Sequence, residues 1–373
     1  MSGKKSASAD PIRVLYDGWP LADASVSEPL AALHLLELLT ARPENIEPWL
    51  ALPGDPGQDL GVLAQVLIAP EPPVPAGRLR WEQLRLPALA RQIGAQVIHT
   101  TSTSLPLFSP SPCLVSPVES LMMDSAGRQG IAHRLRKALG QGGLSGAAWV
   151  LWPDDLPAPQ THAKNWRMPV YVHPAFYLPQ TSADLPPAPY ILAPGPLDAG
   201  EIALLAAVWS WVSAGLGEEW LLLVSDLPPA GLEQMHHACK AMGMPAERYT
   251  AQVNALDLRA LQTRAAAFQQ AQVVLLVSQV RPWSDALLHA LACGRPIAGV
   301  ETPWSDARVG PAGYLAPASD PRALGAAVLT LIVEEEMAER LGNAASQRAN
   351  RWQGLAFHQK LGEVYAEVPA RSR

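Results

Sequence analysis

Val273-Val274-Leu275-Leu276-Val277, the segment from Ser284 to Ala292, and Pro296-Ile297-Ala298-Gly299-Val300 decide the fold. They read as strand, helix and strand, with Cys293-Gly294-Arg295 as the turn between the last two. A strand, a helix and a second strand in that order imply parallel neighbours, because parallel pairing needs a crossover and the crossover is usually helical.

The same alternation extends to both sides. Tyr190 to Ala193 reads as a strand that turns at Pro194-Gly195-Pro196 and enters a helix near Asp198. Trp220 to Val224 reads as a buried strand ending at Ser225-Asp226, and Leu232 to Met242 and Leu256 to Phe268 as helices. Pro321 to Ala349 and Trp352 to Tyr365 close the chain as helices. Upstream, His173 to Pro189 carries Pro174, Pro179, Pro186, Pro187 and Pro189 and reads as a linker.

Before the linker a second series runs. Ile12 to Tyr16 is a strand ending in Asp17-Gly18-Trp19-Pro20, followed by a helix with Ser27 as cap, Pro29 in its first turn and a leucine stripe. Trp49 to Leu52 and Val62 to Ile68 are apolar runs. Trp81 to Ile93 is a helix closed by Gly94, and Gln96 to Thr100 a strand. Cys113 to Ser116, Ala148 to Trp152 and Pro169 to Val172 read as strands, with a helix at Ile131 to Leu139. The expected class is α/β, with two Rossmann-like domains facing a cleft. A tail at 1–11 precedes an N-terminal domain at 12–178 and a C-terminal domain at 179–350. A helix and tail at 351–373 pack back on the N-terminal domain.

Composition narrows the function classes. In 373 residues, 49% are hydrophobic and 17% charged, which suits packed α/β layers and not disorder. A net charge of −6 argues against a nucleic-acid partner, which needs a concentrated basic surface. The basic cluster Arg134, Arg136 and Lys137 reads as a solvated helix face. Cys113, Cys239 and Cys293 are odd in number and widely spaced, which suggests neither disulfides nor a metal-ligand pair, and a reducing, cytoplasmic setting is the default expectation. Met1 to Asp10 lacks the apolar core of a secretory signal. Ile202 to Leu216 is too short and too interrupted to cross a bilayer, which leaves peripheral membrane contact as the open alternative.

In an open parallel sheet, ligands bind beyond the carboxyl ends of the strands. That places Pro194 to Asp198, Ser225 to Pro228 and Ser278 to Ser284 around one crevice. Val277-Ser278, then Ala290-Leu291-Ala292-Cys293-Gly294-Arg295-Pro296-Ile297, resembles the donor-site segment of retaining nucleotide-sugar glycosyltransferases of family 4. Tyr190 to Asp198 resembles the opening of that family's donor domain, and Gly310, Ala312-Gly313-Tyr314-Leu315, Pro317 and Asp320 the stretch after its donor loop. The likeness covers about 180 residues of the second half; in the first half Arg13 to Tyr16 and Gln96 to His99 fit the expected strands. It implies a two-domain GT-B fold and transfer of a sugar, with retention, from a nucleotide-diphosphate donor to a glycan, lipid or small-molecule acceptor. No acidic pair of the metal-holding kind stands at a strand end, so neither metal nor other cofactor is expected. The likeness places donor contacts at Gly195, Ser225, Ser278, Arg281, Pro282, Trp283, Ser284, Leu288 and His289. Acceptor-side contacts fall at Gly18, Trp19, His99 and Glu119.

This chain departs from the family at four positions. The family's two glutamates are replaced by Arg281 and His289, and its phosphate-binding basic pair by Pro196 and Glu201. A neutral imidazole offers one donor and one acceptor, so His289 can hold one ribose hydroxyl but cannot chelate two. A departing nucleoside diphosphate accumulates negative charge, which Glu201 would oppose and the planar fork of Arg281 would suit. Arg281 reads equally as a loop arginine beside Asp285, and His289 as a packed histidine on an apolar helix. His99 reads more readily as structural than as a site residue. Glu119 follows Val118 where the family often has a His-Asp pair. Trp19, Trp283 and Trp304 lie in loops where an aromatic ring either stacks on a sugar or base or packs in the ordinary way. Two functions compete: an active glycosyltransferase, and a catalytically silent relative that binds a nucleotide, glycan or protein. A GT-B nucleotide-sugar epimerase is a third possibility.

Overall fold

The structure is a computed structural model. It describes residues 10–22, 29–56, 59–118, 135–136, 138–140, 146–157, 164–227, 230–278, 283, 285–318, 320–352 and 354–370. The first lobe is built on seven strands, β1 (Ile12–Asp17), β2 (Ile46–Leu52), β3 (Gln65–Ile68), β4 (Val97–Thr100), β5 (Cys113–Val115), β6 (Trp149–Pro153) and β7 (Asn165–Met168). Their order across the sheet is β3-β2-β1-β4-β5-β6-β7, and every pairing is parallel. Its helices are α1 (Trp19–Ala22), α2 (Pro29–Thr40), α3 (Pro75–Arg80) and α4 (Leu86–Ile93), with a π turn at Trp81–Arg85. Residues 135–136 and 138–140 are also helical.

The second lobe has six parallel strands, β8 (Tyr190–Ala193), β9 (Leu221–Ser225), β10 (Val253–Leu256), β11 (Val273–Leu276), β12 (Ile297–Val300) and β13 (Tyr314–Ala316), ordered β10-β9-β8-β11-β12-β13. Helices α5 (Ala199–Gly215), α6 (Gly231–Ala241), α7 (Ala246–Gln252), α8 (Leu261–Gln270), α9 (Ala286–Ala292), α10 (Pro303–Val309), α11 (Pro321–Val333) and α12 (Glu335–Ala349) cover it. The last helix, α13 (Leu355–Ala370), leaves this lobe. Its Phe357, Leu361, Val364, Tyr365 and Val368 pack into the core of the first lobe beside Val14, Tyr16 and Leu38.

The central strands of both sheets, among them β4, β8 and β11, are buried on two faces, which is why they read as short buried runs without alternation, whereas the edge strands β3, β7 and β10 are only partly buried. In the second lobe, Ile191, Ala193, Leu222 and Val224 face α5 and α11, while Leu192, Leu223, Val274 and Leu276 face α8, α9 and the linker. Helix ends follow local chemistry. Gly94 closes α4 at φ +65°, a left-handed value glycine adopts without a Cβ clash. Asp285 caps α9 by accepting from Leu287 N at 3.1 Å, and Asp320 caps α11. Each cap contributes about 1 kcal/mol.

Four sequence readings change. Pro169 to Val172 is not a strand; β7 lies just before it, and the extended segment divides its side chains between lobes, Val170 and Val172 into the second core and Tyr171 into the first. Leu256 to Phe268 is not one helix, because Val253–Leu256 pairs with β9 and the Asp257 carboxylate accepts from Arg259 N at 3.0 Å, turning the chain before α8 begins. Pro321 to Ala349 breaks at Glu334, whose φ of −94° and ψ of 80° are not helical. Helices α3, α7 and α10 and strand β13 leave no trace in the sequence pattern, because at six, seven, seven and three residues they are too short to carry a periodic signal. None of the described helices is long and apolar enough to cross a membrane.

Candidate functional site

In the second lobe the chain leaves β8 toward β9 on one side and reaches β11 on the other, so β8 and β11 flank the point where strand order reverses. Loops after such strands part and leave a crevice. Gly195 sits in the β8 loop, its N–H donating to Ser225 O at 3.1 Å. A Cβ there would lie 2.6 Å from that same oxygen, so only glycine permits the approach. Ser225 is fully buried and its hydroxyl donates to Asp226 Oδ2 at 3.1 Å. Asp226 has a positive φ of 53°, which turns its carboxylate toward Arg264 on α8; Arg264 Nη2 donates to Asp226 Oδ1 at 2.7 Å and Nε to Leu258 O at 2.9 Å. Arg264 Nη1 is buried and has no hydrogen-bond partner among the described residues, an arrangement that costs about 1–3 kcal/mol. Neither Asp226 nor Arg264 was singled out as a site residue from sequence; the only signal was the position of Asp226 immediately after a strand.

The start of α5 carries acidic side chains. Asp198 Oδ1 accepts from Glu201 N at 2.8 Å, and Glu201 Oε2 accepts from Asp198 N at 2.8 Å. This reciprocal box takes up two of the N–H groups at that end and sets two carboxylates there, a poor setting for a phosphate. Pro196 adds no donor.

On α9, Leu288 and His289 are fully buried. The His289 ring stacks on Phe176 of the linker at 4.1 Å and 4° and meets Phe268 edge-on at 5.5 Å. Its two nitrogens have no protein partner. Burial, foremost, and then the nearby Arg264 charge push its pKa well below the usual histidine value, so the ring is neutral. Fully buried as it stands, the ring offers no hydrogen bond to a ribose hydroxyl. Ser278 lines a pocket of about 280 Å³, its open mouth included, together with Asp285, Gly299 and Ser305. Arg281, Pro282 and Ser284 lie outside the described residues, as does Glu119 of the first lobe.

Trp283 is displaced from any sugar-stacking role. It is 2% exposed and belongs to the core of the first lobe, stacked on His34 of α2 at 5.1 Å and edge-on to Phe357 of α13 at 6.3 Å. The loop that follows β11 therefore drives an indole across the cleft. Trp304 of α10 remains half-buried and meets Trp152 of β6 edge-on at 6.2 Å. Beside them Arg308, with no exposed surface, donates to Asp155 at 3.1 and 3.2 Å and approaches Asp285 Oδ2 at 3.5 Å. Nothing in the sequence around Asp155 or Arg308 marked them.

In the first lobe, Gly18 packs so tightly that a Cβ would lie 2.5 Å from Ala51 O. Trp19 is buried against Trp81 at 5.9 Å, with the Arg78 guanidinium 5.2 Å over its ring. His99 is locked between Tyr365 Oη at 2.6 Å and Ser116 Oγ at 2.7 Å, and Tyr365 Oη lies 2.8 Å from Tyr16 Oη. These three expected acceptor-side residues thus hold the first lobe together. Of the basic cluster, Arg136 is described and pairs with Glu82 at 3.0 Å. Among the described residues no group of three or more His, Cys, Asp or Glu side chains is arranged to hold a metal ion.

No family model and no curated protein sequence matches the chain. Solved structures do. A sucrose-phosphate synthase from Thermosynechococcus elongatus superposes with a TM-score of 0.69 at 18% identity, covering 96% of this chain and 100% of that one. Anabaena HepE, solved with UDP and glucose, gives 0.67 at 14% identity over 95% and 100%. WaaG, a glycosyltransferase involved in lipopolysaccharide biosynthesis, gives 0.63 at 11% identity over 96% and 99%. At these identities the likeness concerns architecture, and it spans the whole of both lobes. Two parallel α/β lobes, a proline-rich linker between them and a last helix returning to the first lobe give this chain the GT-B fold, the architecture it shares with these structures.

Proposed function

We propose that this protein is a glycosyltransferase related to family 4, taking a sugar from a nucleotide-diphosphate donor and passing it to an acceptor with retained configuration. The observation that carries the reading is the crevice at the β8/β11 switch point, where Gly195 brings the β8 and β9 loops into backbone contact and Arg264 keeps an unbonded guanidinium N–H. Similarity to HepE, which was solved with UDP-glucose, supports a nucleotide-sugar donor. Retention rests on the likeness of Val277 to Ile297 to the family's donor segment. Gly195, Ser225, Ser278 and Arg281 are the donor-side residues of this reading, and the cation that offsets the leaving diphosphate is Arg281 or Arg264, because the α5 terminus is occupied by its own carboxylates.

A second reading is favoured by a specific observation: Trp283 and the Asp155–Arg308 ion pair bridge the two lobes, and Phe176 packs flat on His289 inside the second. On that reading the chain is a silent relative that binds without turnover. Calorimetric titration with uridine, guanosine and adenosine diphosphates, followed by incubation with a panel of nucleotide sugars, separates them. Transfer or hydrolysis supports the first reading; binding without either supports the second; absence of both binding and turnover removes the first.

A further inference from the structure

Arg308 of α10 has no exposed surface, yet two carboxylates share it. Asp285, at the start of α9, belongs to the same lobe. Asp155, in the turn after β6, belongs to the other, and it meets the guanidinium with both oxygens, Oδ2 from Nε at 3.1 Å and Oδ1 from Nη2 at 3.2 Å. We propose that Asp155 and Arg308 form a latch that holds the lobes closed over the switch-point crevice.

The charge balance shows why the contact can open. When Asp155 withdraws, Arg308 keeps Asp285, a carboxylate of its own lobe, at 3.5 Å, so the buried guanidinium retains a counter-charge. Asp155 is the most exposed of the three, at 10%, against 7% for Asp285 and none for Arg308. The latch is also held in register from behind. Arg348 of α12 donates to the carbonyls of Ala307 and Arg308, fixing the end of α10, and the Trp152–Trp304 contact lies alongside. A bidentate carboxylate on a planar guanidinium is the strong form of this pairing, and buried as it is, salt screens it little. The latch stands independently of any ligand. That it governs admission of a donor rests on the glycosyltransferase reading.

The test uses the full chain. Asp155→Asn keeps one acceptor and removes the charge, Arg308→Lys keeps the charge and removes the fork, and Asp306→Asn changes an exposed carboxylate on the same helix as a control. Small-angle scattering reads lobe separation, and amide hydrogen exchange reads opening. Asp155→Asn and Arg308→Lys are expected to speed exchange of α10 amides about tenfold or more and, combined with Trp283→Ala so that the indole no longer spans the lobes, to enlarge the radius of gyration beyond that of Trp283→Ala alone, with Asp306→Asn unchanged. The lysine variant keeps the buried charge balance, so it reports even where the asparagine variant does not fold. Unchanged scattering and exchange in the two latch variants overturn the proposal. Calorimetry with UDP on the same samples keeps the two ideas apart: lobes that open without binding UDP support the latch and count against the donor assignment, whereas UDP binding with unmoved lobes does the reverse.

Discussion

Trp283→Ala is the sharpest perturbation of this fold, because one side chain from a loop of the second lobe is buried in the core of the first. At 2% exposure the indole removes nearly all of its surface from water. A tryptophan buries about 150–250 Å², and at ~25 cal/mol per Å² that is about 4–6 kcal/mol of transfer free energy. Measured aromatic-to-alanine truncations in cores cost about 3–5 kcal/mol. The stack on His34 adds about 1 kcal/mol. The expected loss of unfolding free energy is therefore ~4 kcal/mol, measured by urea denaturation followed by far-ultraviolet circular dichroism. The location adds a second expectation. Removing the indole uncouples the lobes, so a single transition should separate into two. A loss below about 1 kcal/mol with one undivided transition would refute the placement of Trp283 as an interlobe pin.

Three further outcomes follow from the packing. Burial holds the His99 imidazole at a pKa of about 3 and that of His289 well below its ordinary value. Both groups bind protons more readily unfolded, so stability is complete above pH 6.5 and falls as the pH drops toward 3, by about 1.4 kcal/mol per pH unit for each group; denaturant midpoints measured from pH 8 to pH 4 check this, and His289→Leu should flatten the slope. Gly195→Ala forces a Cβ to 2.6 Å from Ser225 O; it should cost about 1–3 kcal/mol in thermal unfolding and abolish any UDP binding seen in the unmutated protein. Tyr365→Phe removes the hydroxyl shared by His99 and Tyr16, leaving a buried ring nitrogen unbonded, with an expected loss of about 1–3 kcal/mol by chemical denaturation.

Much of the architecture was legible because buried parallel strands and their crossover helices are local in sequence. Tyr190 to Ala193, Val273 to Val277 and Pro296 to Val300 are runs too apolar to lie anywhere but inside a sheet, and the prolines from His173 to Pro189 interrupt every alternative to a linker. Strand β10 escaped because Val253-Asn254-Ala255-Leu256 offers one buried residue, too weak a signal beside the helical run that follows. The candidate site was legible only as a region. The chain placed Gly195, Ser225 and Ser278 at strand ends, but which way each neighbouring side chain turns depends on what packs across the cleft.

The chain by itself determined two α/β series, their order, and the loops that gather where strand order reverses, since these follow from hydrophobic period, turn chemistry and the handed geometry of crossovers. Tertiary structure alone decided that Trp283 crosses to His34, that Phe176 covers His289, and that Asp155 meets Arg308 across 153 residues of sequence. Each of those contacts joins segments distant along the chain, and its energy, apolar burial for the aromatic pairs and charge-assisted hydrogen bonding for the ion pair, arises only when two surfaces meet, a property that neither surface carries in its own sequence.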